Sequence, residues 1–143
     1  MSKLHPKPDD PRDMLVTTVK AVYAAFERGD VEAALAFVAP NVELRPEGTS
    51  SATGRSVYRG HDGIRDYFAD VARVWSGGLE LEPVDYRAVA GSVVVFGRVH
   101  GNGDLGPVDR EVVWVWKLRD GLLVSGQVFA TSRAAIAAAQ ASA

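Results

Sequence analysis

The chain has 143 residues, of which 47% are hydrophobic and 24% charged, with a formal net charge of −2; this suits one globular domain with a sizeable core. No basic patch or aromatic–basic interleaving marks a nucleic-acid surface. No apolar run nears the roughly 20 residues of a membrane span, and the start MSKLHPKPDDPRD lacks the apolar core of a signal sequence. The absence of cysteine excludes disulfides, thiolate metal sites and a cysteine nucleophile. The expectation is a cytoplasmic protein with neither a nucleic-acid nor a membrane partner.

Residues 1–10 are polar, carry Pro6 and Pro8, and read as a flexible tail. Pro11 can open a first helix with Asp10 as its cap. Leu15, Val19, Val22 and Phe26 recur at helical spacing, and Val16 and Tyr23 widen the stripe. Gly29 suits the stop, and Asp30 can cap a second helix running through Val38, ended by Pro40-Asn41. Val42 to Arg45 alternates and predicts a short strand. Residues 46–57, PEGTSSATGRSV, read as a loop that is either functional or mobile. A third helix is predicted over about Asp62 to Trp75, with Ile64, Tyr67, Phe68, Val71 and Trp75 inward and Gly77-Gly78 as its stop.

Four long strands follow. The first covers 79–89 and is broken at Pro83, which removes a ladder donor. The others cover about 93–100, 110–119 and 122–130. Asp120-Gly121 is a hairpin signal, whereas Gly101 to Gly106 marks a longer connection. Side chains alternate across a sheet. Val94, Phe96, Arg98 and His100 therefore share one face of their strand, and Val112, Trp114, Trp116 and Leu118 one face of the next. Both sheet faces are apolar, so both should be covered, one by the chain's own helices and the other by a second copy. Residues 132–143 read as an Ala-rich tail or short helix, free or docked. Helices on one face of a mostly antiparallel sheet make an α+β domain, here over residues 11–131.

The segments YAAFERGDVEAALAFVAPNVEL, VYRGHDGIRDYF and VWKLRDGLLVSGQVF, in this order and spacing, resemble the cone-shaped fold shared by nuclear transport factor two, ketosteroid isomerase, limonene epoxide hydrolase and the SnoaL-like polyketide cyclases. The resemblance implies helices closing a curved sheet into a cone with an apolar pocket, and a homodimer through the outer sheet face. It does not carry over the two best-known activities. The carboxylate base, tyrosine and protonated aspartic acid of ketosteroid isomerases fall on Leu44, Val22 and Trp114, with Tyr23 one helical step, about 100°, away. The epoxide hydrolase set falls on Val42, Leu44, Arg98-x-His100 and Val128, where only the arginine is kept.

By the resemblance, the face bearing Arg98 and His100 lines the pocket. Arg98 can then orient a carbonyl, carboxylate or phenolate, or else pair with a nearby acid. His100 can act as general acid or base, or else end its strand near solvent. Trp114 and Trp116 can stack on a flat ligand or fill the core. Tyr58 can supply a hydroxyl at the pocket mouth or pack in a turn. His61 and Asp62 sit where a helix begins and read as capping residues. Three scattered histidines, His5 among them, do not make a metal site, and no nucleotide fingerprint or cofactor motif is present. The expectation is therefore a SnoaL-like pocket protein for a mostly apolar cyclic ligand. Any reaction would be cofactor-free proton transfer of isomerase, cyclase or lyase type. The alternative is a non-catalytic dimeric module with a vestigial or filled pocket.

Overall fold

The computed structural model describes residues 11–46, 49, 53–103 and 106–141. The elements run α1 (Pro11–Arg28), α2 (Val31–Leu35), β1 (Val38–Arg45), β2 (Tyr58–Arg59), α3 (Gly60–Val74), β3 (Leu79–Val89), β4 (Ser92–Gly103), β5 (Gly106–Arg119), β6 (Leu122–Phe129) and α4 (Ser132–Gln140). The fold is α+β, as expected. The six strands form one curved sheet in the order β2-β1-β6-β5-β4-β3. All neighbours are antiparallel except β1 and β6. The predicted tail at 1–10 and parts of the 46–57 loop, at 47–48 and 50–52, lie outside the described residues.

The inner face carries one core. Val93 and Val95 of β4, Val112 and Trp114 of β5, and Leu123 of β6 pack against Val19 and Tyr23 of α1 and Ile64 of α3. Helix α1 lies over β3 and β4, and α3 over β1 and β2. His61 fixes one end of α3, its Nε2 lying 2.8 Å from the Val38 carbonyl oxygen of β1. No described helix is long and apolar enough to cross a membrane.

Several predicted boundaries move. Helix α2 ends at Leu35, and Pro40 lies inside β1 instead of ending a helix. The β1–β6 ladder is irregular between Val38 and Glu43, so the missing proline donor breaks no regular pairing there. Strand β3 is continuous through Pro83 because it is an edge strand, with a bulge between Pro83 and Asp85 that turns Val84 outward to 71% exposure. The β4–β5 ladder also runs on to Gly103 opposite Gly106, through what reads in sequence as a longer connection.

The outer face is covered at its centre by the chain's own last helix. Ala135 and Ala139 of α4, both 0% exposed, sit on Val94, Val113 and Val115. Thr131 caps this helix, its side chain accepting from the Ala134 N–H at 3.2 Å. The Ala-rich segment through Gln140 therefore docks, and alanine suits it because small side chains let the helix lie close to the valines. The described C-terminal helix is a fourth, beyond the three predicted N-terminal ones.

Candidate functional site

Helix α1 aims its inner stripe at the sheet, and Tyr23 stands near its centre, one helical turn from Val19, which is fully buried. Tyr23 is itself only 8% exposed. Its ring meets Trp114 and Trp116 edge-on, with centroids 5.5 and 5.7 Å away. The Trp116 indole N–H donates to the Tyr23 hydroxyl at 3.0 Å. That hydroxyl therefore accepts one hydrogen bond, and its own proton has no acceptor among the described residues. Burial drives its pKa well above 10.0, the Trp116 bond only partly offsetting this, so the group stays a neutral donor.

These residues border a cavity of about 70 Å³ inside the cone. Val42, Leu44, Ile64, Tyr67, Phe68 and Val128 also line it. Gly126 makes room for one wall. It stands opposite Trp116 across the β5–β6 ladder, and a Cβ there would overlap the indole ring. A second, open groove of about 650 Å³ runs between α1 and β3. Tyr23, Phe26 and Leu81 line both spaces, so they form the partition between groove and cavity.

The sequence places Trp114 and Trp116 on the inner face correctly, but not Arg98 and His100. The observed register pairs Trp114 with Val95 and Trp116 with Val93, while Arg98 faces Glu111 and His100 faces Asp109. Directly opposed residues share a face, so Arg98 and His100 belong to the outer side. Arg98 binds Asp109 at 2.9 Å and Glu111 at 3.4 Å. His100 places Nε2 3.0 Å from Glu82 and Nδ1 3.2 Å from Asp109. His100 also borders the groove, yet both ring nitrogens are engaged by carboxylates. Neither residue enters the cavity.

Tyr58 does not line the cavity either. It is fully buried, donates to Asp70 at 2.7 Å, and lies under the Arg55 guanidinium at 4.6 Å. The Tyr58 bond, aided by Arg73 and Arg55, holds the Asp70 carboxyl below the usual carboxylate range. This cluster fastens the segment after the 46–57 loop to α3. Among the described residues no group of three His, Asp or Glu could hold a metal ion.

Tyr23 belongs to the inner stripe, as its helical spacing predicts, and it is more deeply placed than the resemblance implies. The resemblance puts the isomerase tyrosine's position on Val22, with Tyr23 a step away; both line the cavity, Tyr23 the more buried of the two. The signal lay in the Val19–Tyr23 spacing of four, which puts both on one helical line.

No curated protein matches the chain in sequence. Solved structures do. TerC, crystallised with polyporic acid, is 28% identical with a TM-score of 0.72, over 85% of this chain and 94% of that one. An NTF2-like protein of unknown function from Burkholderia pseudomallei K96243 is 24% identical with a TM-score of 0.72, over 87% and 95%. Bal32a, from a soil-derived mobile gene cassette, is 18% identical with a TM-score of 0.75, over 88% and 95%. The model of the SnoaL-like domain matches residues 19–126, from within α1 to within β6, and so takes in the cavity's lining residues except Gln127 and Val128. With the cone, the inner aromatic wall and this match in agreement, the chain belongs to the SnoaL-like domain family.

Proposed function

We propose that this SnoaL-like protein binds a small, flat, mostly apolar cyclic molecule across the partition between groove and cavity, with the Tyr23 hydroxyl donating to one polar atom of that molecule. The observation that carries the reading is the unspent proton of Tyr23 in a buried aromatic site. Buried donors are ordinarily paired, and an unpaired one costs about 1–3 kcal/mol. A carbonyl or phenolate oxygen of a ligand would satisfy it. The walls of Trp114, Trp116, Phe26 and Tyr67 suit a ring. TerC, a relative crystallised with polyporic acid, supports an organic small molecule as the kind of occupant.

The reading is binding in preference to proton transfer. Among the described residues lining the cavity there is no carboxylate or imidazole, the groove's His100 has both ring nitrogens engaged by carboxylates, and Tyr23 stays protonated near neutral pH and so offers no base. The cavity is about 70 Å³, under half of the roughly 150 Å³ that holds a benzene in an apolar protein cavity. The ligand's edge would occupy the cavity and its body the groove. That small volume also favours a second reading, a module whose interior is filled by its own side chains.

Thermal shift and tryptophan fluorescence with cyclic ketones, phenols and lactones separate the two. A binder that raises the Tm of the wild type, and binds Tyr23→Phe about tenfold more weakly, is the expected outcome, since one hydrogen bond of this kind contributes roughly 1 kcal/mol or more. A panel without any binder would favour the filled module.

A further inference from the structure

The groove between α1 and β3 differs in character from the cavity behind it. Its apolar floor comes from Leu79, Leu81 and Pro83. At one end lies Lys20, whose ammonium stands 5.0 Å from the centre of the Tyr86 ring. Lys20 has no carboxylate partner among the described residues, which is uncommon in a chain where most arginines are paired with acids. The Tyr86 hydroxyl is also without an acceptor among them. Tyr86 meets Tyr23 edge-on at 6.2 Å, so its ring continues the aromatic wall from the cavity into the groove. An unpaired cation and the Tyr86 hydroxyl thus border the groove, and the Tyr23 hydroxyl stands at the partition between it and the cavity.

The acidic residues of the groove lie elsewhere. Glu80 sits opposite His100 on β3, on the outer face of the sheet. Glu27 is seven residues beyond Lys20 on α1, about 10 Å along the helix axis. The end near Lys20 therefore offers donors and positive charge, with the groove's carboxylates set away from it. A ligand oxyanion there would meet these donors directly.

We infer that the ligand is an acid, a cyclic or aromatic carboxylate or enolate whose anionic group lies at Lys20 and Tyr86 while its ring crosses Tyr23 toward the cavity. This rests on the binding reading above and adds the ligand's charge and direction. Cation–π contact with Tyr86 holds the ammonium over the groove without neutralising it, leaving its charge available to a carboxylate. The contact is half-exposed, so its strength should fall as salt rises.

The test uses 2-naphthoate and its neutral counterpart 2-naphthamide, titrated by calorimetry into the wild type and into Lys20→Gln and Tyr86→Phe. Melting curves of the variants check that they fold, which the exposure of Lys20 favours. The expected result is naphthoate binding the wild type about tenfold more tightly than naphthamide. Lys20→Gln should erase that preference and leave naphthamide binding unchanged, and Tyr86→Phe should reduce it. Equal binding of both probes, or a preference that survives Lys20→Gln, would overturn the inference and leave the pocket reading standing. Binding of neither probe, nor of any neutral ring tested against Tyr23→Phe, would overturn both.

Discussion

His100 joins three strands through charge and not through packing. Its Nε2 faces Glu82 of β3 and its Nδ1 faces Asp109 of β5, at 3.0 and 3.2 Å. The Glu82 hydrogen bond, with further attraction from Asp109 and Glu80, raises the imidazole pKa above its ordinary value. A group whose pKa is raised by folding stabilises the fold when protonated. Its contribution is complete below the unfolded value of about 6.5 and is lost as pH rises through the folded value. Asp109 runs the other way. Arg98 holds its pKa down, so its contribution is present above about 3.9 and lost as pH falls through the lowered folded value. The cluster is fully formed only in the mildly acidic range between. Urea midpoints of the wild type should therefore decline as pH rises from the unfolded value of about 6.5 through the raised folded value, and His100→Gln should flatten that decline. An unchanged slope in the variant would remove His100 as its cause. The cluster is half-exposed, so high salt should weaken the effect.

At the scale of elements, two hairpins show what local sequence can and cannot announce. Between β5 and β6, Asp120 and Gly121 both take positive φ, 53° and 79°. Asp-Gly is a standard sequence for that turn, and the hairpin is legible from the residues alone. Between β3 and β4 the same backbone recurs with Ala90 at 50° and Gly91 at 81°. Alanine gives no such signal, because its Cβ disfavours the left-handed region by roughly 1 kcal/mol or more. Ala90→Asn should therefore stabilise the protein by about 0.5–1 kcal/mol and raise Tm by roughly 1–4 °C, read by calorimetry. A lower Tm would mean that the turn tolerates alanine without strain. The element order was legible because helical and alternating periods differ along the chain. The β4–β5 register was not. Gly101 to Gly106 reads as a loop, yet the ladder closes only at Gly103 opposite Gly106. A shift of one residue exchanges the two faces of a strand. It carried Arg98 and His100 from the expected pocket to the outer surface, where Glu82, Asp109 and Glu111 were available to pair with them.

At the scale of the whole molecule, the sheet has two apolar faces and the chain covers each by different means. The inner face is closed by α1 and α3 with large side chains, leaving the aromatic cavity. The outer face is closed by α4, whose contribution is mainly backbone proximity through Ala135 and Ala139. Such a cover contributes little apolar bulk of its own but removes Val94, Val113 and Val115 from water. Truncation after Thr131 should thus expose a valine stripe across β4 and β5 and lower stability on the order of 2–5 kcal/mol. Exposed apolar sheet surface of this kind associates, so the truncated protein should also sediment as a larger species than the full chain at equal concentration. Sedimentation equilibrium of both forms checks the argument. A truncated protein that keeps the full chain's mass and stability would show that α4 is not the cover of this face. If the full chain itself sediments at twice 15.3 kDa, salt tells the surfaces apart: a dimer through the charged strip of Glu82, Arg98 and Glu111 beside α4 should weaken with salt, as a valine-driven one would not.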